Sequence, residues 1–307
     1  MTRNLFLGAD LSAAYRALAT ADGLAALPAA VAAVFNPGEP PGLVQRTDFA
    51  TRAVALADEI AAAEPDVIGL QEAAVWSAGE EVAADHLALL EAELERRGLR
   101  YRRVAVKENG SVALPSAAGI LVGLADREAL LAREELDVAN VETGAFVNAL
   151  EMETAQGSFS LARGWIAADV AGVRCVTTHL EVAISAQAAA AQRLQAQELV
   201  EGPAVSALPV VLLGDFNARP ERATYAYLRE AGFDDAWLEA NPDGPAGFTC
   251  CHAHPLDNPD DTLRARIDLI LTRGLAATGA WVVGEFANGL WASDHQGVVA
   301  DLVLTGS

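Results

Sequence analysis

The chain has 307 residues, 52% of them hydrophobic, three cysteines and a formal net charge of −21, with a pI near 4.5. These values describe one large or two small globular domains and exclude disorder. Lys107 is the only lysine among 21 basic residues, so tight non-specific DNA binding, which neutralises phosphates with basic side chains, is disfavoured.

A short apolar run at 5–7 opens the chain, and an alanine-rich helical stretch is predicted over about 11–35. Its most apolar part, 24–35, is interrupted by Pro28 and falls short of the roughly 20 residues a membrane-spanning helix needs. No charged and then apolar leader precedes it, so the chain reads as cytoplasmic. The breaker cluster 36–42 closes this insertion-like segment. Helical spacing from Asp48 to Ala63 ends at Pro65-Asp66, before the buried-strand run 67–70. A second amphipathic helix is predicted over about 80–97, then strands at 99–106, 119–124, 134–141, 146–153, 160–170 and 173–180. A helix at about 185–200, a strand at 210–213, a helix at 221–231 and strands near 267–271, 280–283 and 297–304 complete the pattern. Runs of strands broken by helices predict two packed sheets flanked by helices, in a single domain with a helical insertion at about 11–45.

Polar residues cluster at the ends of these strands. Glu72 follows the apolar run 67–70, where a carboxylate can bind a hard cation through oxygen, although taken alone the pattern reads better as a solvated strand end. His179 ends the next apolar strand and shares a face with Glu181. It reads either as a phosphate donor or as a histidine satisfied by local backbone. In Gly214-Asp215-Phe216-Asn217 the Asp-x-Asn spacing puts a carboxylate and an amide on one face, suited to orienting a water, with an Asx turn as the alternative. Arg266 and Asp268 form an Arg/Asp pair on one strand face, and Ser293-Asp294-His295 precedes the last strand.

Together with Asn4 and Gln71-Glu72, these motifs resemble the endonuclease/exonuclease/phosphatase superfamily, the DNase-I-like fold, from Asn4 to His295. That resemblance implies an α/β protein, a four-layer α/β/β/α sandwich of two mixed, mainly antiparallel sheets. It also implies hydrolysis of a phosphoester by a water activated with Mg²⁺ or Mn²⁺, Ca²⁺ being a further candidate. Carried over by position, Glu72 is the principal metal ligand, with Asn4 close to the same ion. Asp215 orients or deprotonates the attacking water, and Asn217 holds the scissile phosphate. His179 and His295 contact phosphate oxygens, His295 being also the family's candidate general base or acid, Asp268 supports the site through hydrogen bonds, and Asp294 orients His295 or joins a metal site. The usual second carboxylate two residues after Asn4 is missing, and Asp10 is its candidate substitute. The opening Asn4-Leu5-Phe6-Leu7-Gly8-Ala9-Asp10, Arg163-Gly164-Trp165 and Cys250-Cys251 are similar to a bacterial subgroup whose members often carry a secretion signal, so secretion stays open.

Other features are read two ways. Arg163 with Trp165 is a substrate contact beside an aromatic wall, or a packing pair. Cys250-Cys251-His252-Ala253-His254 lacks zinc-site spacing and reads better as a loop wall or a vicinal disulfide. The arginine run 96–103 is a nucleic-acid patch or, better, a solvated face. The insertion packs on the core or provides a lid or lipid-facing wall at the cleft mouth. Charge ranks a phosphorylated small molecule or lipid above nucleic acid as substrate, with a metal-dependent nuclease of the same superfamily as the alternative and a non-catalytic phospholigand-binding protein on the same fold as the alternative of a different class.

Overall fold

The computed structural model describes residues 1–20, 22–154 and 157–305, and their side chains except those of 152–161. Two sheets form its centre. The eight-stranded sheet runs Leu275–Val283, Gly297–Leu304, Thr2–Asn4, Val67–Gln71, Leu121–Arg133, Val75–Ala78 and Glu81–Asp85, with Tyr101–Pro115 also paired to Leu121–Arg133. The six-stranded sheet runs Asp234–Asp235, Asp268–Arg273, Val210–Asp215, Val173–His179, Gly164–Val170 and Val138–Ala145.

Alternation along the strands builds the layers. In Leu121–Arg133, Ala129 and Leu131 face the helices Phe49–Ala63 and His86–Arg96, while Leu130 and Ala132 face the other sheet. In Val210–Asp215, Val210 and Leu212 face the helices Ala186–Glu201 and Ala223–Glu230, while Val211 and Leu213 meet the first sheet. A strand covered on both faces must be apolar at every position, which is why 67–70 and 210–213 read as unbroken apolar runs. The result is the four-layer α/β/β/α sandwich that the sequence predicts. Gly69 sets the spacing between sheets, because a Cβ there would lie 2.5 Å from Thr177 Oγ1.

Several boundaries differ from expectation. The helical stretch at 11–35 is broken into Ser12–Leu18, a 3-10 turn at Gly23–Ala25, and Leu27–Val34. Gly23 sits too close to the Ala17 carbonyl to carry a side chain, and Pro28 fits only in the first turn of a new helix. The helix predicted from 80 starts at His86 instead, because Glu81–Asp85 pairs with Val75–Ala78 and the Asp85 carboxylate caps the helix at the Ala88 amide. The strand at 119–124 extends as Leu121–Arg133, and the one at 99–106 as Tyr101–Pro115. The run 134–141 forms a strand only from Val138. The run 160–170 is two strands, Gly157–Leu161 and Gly164–Val170, parted at Ala162-Arg163; the side chains of its first two residues lie outside the described residues.

Candidate active site

Two parallel strand pairs bring the polar residues together. Thr2–Asn4 lies parallel to Val67–Gln71 with Asn4 beside Gln71, so Asn4 and Glu72 leave the first sheet at one edge. In the second sheet His179 pairs with Asp215, and Asp215 with Asp268, giving a row of three polar residues across adjacent strands. Gly214 makes that row possible, since a Cβ there would fall 2.1 Å from the Thr178 carbonyl oxygen.

Asn4 joins the two halves. Its Nδ2 donates to Glu72 Oε1 and to Asp215 Oδ2, both at 3.1 Å, and its Oδ1 accepts from the Phe6 amide at 2.8 Å. Glu72 Oε2 accepts from the Leu7 amide at 2.7 Å. Glu72 itself has φ 56°, a left-handed conformation that turns its side chain out of the strand line.

The two site histidines are held in different charge states. Arg163 Nη1 lies 3.0 Å from His179 Nδ1. A guanidinium only donates, so Nδ1 is the acceptor and the ring proton sits on Nε2, 3.4 Å from Asp215 Oδ2. Burial and then the Arg163 charge push the His179 pKa well below its usual value. His295 Nδ1 donates to Asp268 Oδ2 at 2.8 Å, and Asp294 Oδ1 lies 4.0 Å from its Nε2. Burial opposes its charging, but the surrounding Asp268, Asp294 and Asp215 carboxylates raise its pKa well above the usual value. A neutral N–H donor and an imidazolium therefore flank Asp215.

Glu72 and Asp215 are each pushed up to about 7, by burial first and then by neighbouring carboxylates: Asp294 and Asp126 for Glu72, Asp268 for Asp215. Carboxylates crowded together in this way would be relieved by a bound cation. Asp268 Oδ1 is buried without a hydrogen-bond partner, and Asp215, Asp268 and His295 each offer a ligand atom within 4.8 Å of the others. Hard oxygen donors predominate, and they fit Mg²⁺ or Mn²⁺.

The remaining candidates are arranged around this centre. Asn217, with φ 49°, donates its amide NH to Asp215 Oδ1 and its side-chain Nδ2 to the Leu180 carbonyl. Asp294 Oδ2 pairs with His254 Nε2 at 3.0 Å; burial raises its pKa, but the His295 charge and then this pairing hold it below the usual carboxylate range. Asp10 stands apart: it is exposed and accepts from the Ser12 amide. Arg163 precedes its strand rather than opening it, and lies 3.9 Å from both Asp126 and Glu181 as well as against His179. Arg266 does not pair with Asp268; its guanidinium binds both oxygens of Asp235 at 2.8 and 3.1 Å and ties the segment before Asp268–Arg273 to the strand Asp234–Asp235.

Sequence reasoning overlooked Asp126, Glu181 as a partner of Arg163, and two buried arginines beneath the site. Arg3 pairs with Glu59 at 3.0 Å and donates to the His295 carbonyl. Arg52 donates to the carbonyls of Leu5, Phe6, Thr47 and Ala292. Charged residues inside apolar periodic segments were the available signal. The sulfurs of Cys250 and Cys251 are joined to each other, which removes the zinc reading, and residues 249–252 bond to 294–296 beside His295. The arginine run 96–103 is largely spent on carboxylates: Arg96 and Arg97 on Glu93, Arg100 on Glu134, Arg103 on Glu91.

The profile of the Endonuclease/Exonuclease/phosphatase family matches residues 42–295, most of the chain, and the protein belongs to that family. Its fold is similar to an endonuclease/exonuclease/phosphatase from Beutenbergia cavernae, with TM-score 0.61 and 23% identity over 90% of this chain and 69% of the other. It is similar also to D. rerio TDP2 complexed with a single-strand DNA product (0.56, 21%, 83% and 93%). A third likeness is to a mannosyl-6-phosphatase from Bacteroides thetaiotaomicron (0.54, 18%, 85% and 93%). No curated protein matched the sequence. Among the described residues no helix is long and apolar enough to cross a membrane.

Proposed function

We propose that this protein is a divalent-metal-dependent phosphoesterase that hydrolyses a small-molecule or lipid phosphodiester or phosphomonoester by in-line attack of water. The observation that carries this reading is the buried row His179, Asp215, Asp268 and His295, linked through Asn4 to Glu72. Glu72, with Asp215, Asp268 and Asp294 nearby, would hold Mg²⁺ or Mn²⁺, and the ion supplies concentrated positive charge for a phosphoryl transition state. Asn4 acts here as a bridge that keeps the two carboxylates in register.

Asp215 Oδ2 accepts the proton of the attacking water. His179 Nε2–H and the His295 imidazolium donate to the non-bridging phosphate oxygens, where negative charge grows. Asp268 keeps His295 charged and fixes its ring, and Asn217 Nδ2, anchored on Leu180, borders the phosphate position. Arg163 adds a fixed cation beside His179. Net charge and the paired state of the 96–103 arginines favour small or lipid esters over nucleic acid.

The test is hydrolysis of bis-p-nitrophenyl phosphate and p-nitrophenyl phosphate with Mg²⁺, Mn²⁺ or Ca²⁺. Metal-dependent turnover that disappears in a folded Asp215→Ala variant is expected. Turnover unchanged in that variant would refute the assignment of Asp215, and no turnover across the panel would point to a phospholigand-binding protein.

A further inference from the structure

Beside the carboxylates lies a cavity of about 280 Å³ whose chemistry is unlike that of the site. One wall comes from the insertion helices, through Leu11, Leu18 and Val34. The opposite wall comes from the long hairpin, through Val112, Leu114 and Val122. The charged part of its lining is Glu72, Asp126 and Arg163, residues of the catalytic cleft, so cleft and cavity are one continuous space. Tyr15 lies on the insertion wall, with its hydroxyl in the field of Arg163, Asp126, Glu181 and Glu72. The cavity floor is rigid: Trp76 is buried, donates Nε1 to the Leu7 carbonyl at 2.7 Å and stacks on Phe35.

From this continuity we infer that the substrate is a phosphoester carrying one extended apolar group, with the phosphate at Glu72 and Arg163 and the apolar group between the insertion and the hairpin. The inference rests on the phosphoesterase reading and names its substrate class. The uncharged polar side chains of the lining, Asn109, Ser111 and Tyr15, are few, so a sugar or nucleoside placed between the apolar walls would leave most of its hydroxyls without partners, a cost that opposes binding. An alkyl chain meets no such cost and gains with every buried methylene. The cavity has about twice the ~150 Å³ in which an apolar site takes up one benzene, so it accommodates about ten to twelve carbons.

A series of p-nitrophenyl alkyl phosphodiesters from methyl to dodecyl, assayed below their micelle concentrations with Mn²⁺, tests this. Water oxygen bonds to phosphorus, the bond from phosphorus to the nitrophenolate oxygen breaks, and the alkyl phosphate stays behind. kcat/KM is expected to rise about three- to fourfold per methylene over the first few, then level off near ten carbons. Val112→Glu and Leu18→Glu, both at positions that are not fully buried, are expected to lower kcat/KM for the octyl ester at least tenfold and leave the methyl ester unchanged. Turnover of the methyl ester with no dependence on chain length would overturn the apolar subsite and leave the phosphoesterase reading standing. If no ester is hydrolysed, calorimetric binding of decylphosphonate against methylphosphonate decides: tighter binding of the decyl compound, lost in Val112→Glu, supports the subsite, and equal binding overturns it. Lysophosphatidic acid carried in phosphatidylcholine vesicles separates the two sources of such a group. Turnover there assigns bilayer lipid, and turnover of the free esters alone assigns soluble amphiphiles.

Discussion

At the scale of single residues, the site depends on how a few charges are shared. Asp268 is the group most directly responsible for the charge on His295, through a 2.8 Å contact to Nδ1. In Asp268→Asn that stabilisation is lost, so the His295 pKa falls. With the imidazolium as the proposed active form, the alkaline limb of kcat/KM against pH should move to lower pH, with kcat down about 10²- to 10³-fold. A pH profile of wild type and variant checks both, and an unmoved limb would remove the His295 imidazolium from the proposed mechanism. These residues were legible in the sequence because Asp268 opens an apolar strand and His295 stands just before one. Asp126 and Glu181 were not, since their importance comes from a shared neighbour, Arg163, supplied by a distant segment.

At the scale of elements, buried polar groups hold the loops that carry the site. Arg52, on the helix Phe49–Ala63, holds the carbonyls of Leu5 and Phe6 just after Asn4 and that of Ala292 just before Asp294. Arg52→Met would leave those oxygens buried and unpaired, and should cost about 3 kcal/mol in urea unfolding. Activity should fall even where the variant stays folded. His86 opens the helix His86–Arg96, stacked on Phe49 at 3.7 Å, with neither ring nitrogen hydrogen-bonded. Burial, then the Arg52 charge, push its pKa well below 6.5. The sign follows directly: its contribution to stability is complete above about pH 6.5 and is lost as pH falls, because only the unfolded chain takes up the proton. The slope reaches about 1.4 kcal/mol per pH unit for this one group. Stability of His86→Phe measured from pH 7.5 to 5 should be flatter than wild type by up to that amount. The same region shows why element boundaries were hard to read. Alanine at 83–84 suits a helix by propensity, but the strand partner Val75–Ala78 decides the conformation.

At the scale of the whole molecule, charge and metal act together. With −21 net charge, duplex DNA should bind no tighter than the weak end of non-specific association, Kd of about 10⁻⁴ M at physiological salt. Fluorescence anisotropy with a labelled duplex checks this, and micromolar binding would reopen the nuclease reading. Mn²⁺ or Mg²⁺ should raise the melting temperature by relieving the carboxylate repulsion around Glu72. At a hundredfold excess over Kd, the expected stabilisation is about 2.7 kcal/mol. Chelation should reverse it, and Glu72→Gln should largely abolish it in a thermal scan.

The sequence by itself determined the layers and marked the candidate site residues. Strands covered on both faces are forced to be apolar throughout, and the polar residues that interrupt such runs at their ends, Glu72, His179, Asp215 and His295, stand out for that reason. The tertiary structure decided what depends on distance between segments remote in the chain. It sets the proton positions on the two histidines, the bridge that Asn4 makes from Glu72 to Asp215, and the partner of Arg266. It also sets the hollow between insertion and hairpin. A periodic pattern reports which face of an element is apolar; whether two such faces meet or stand apart around a cavity is fixed only when both are packed on the same sheet.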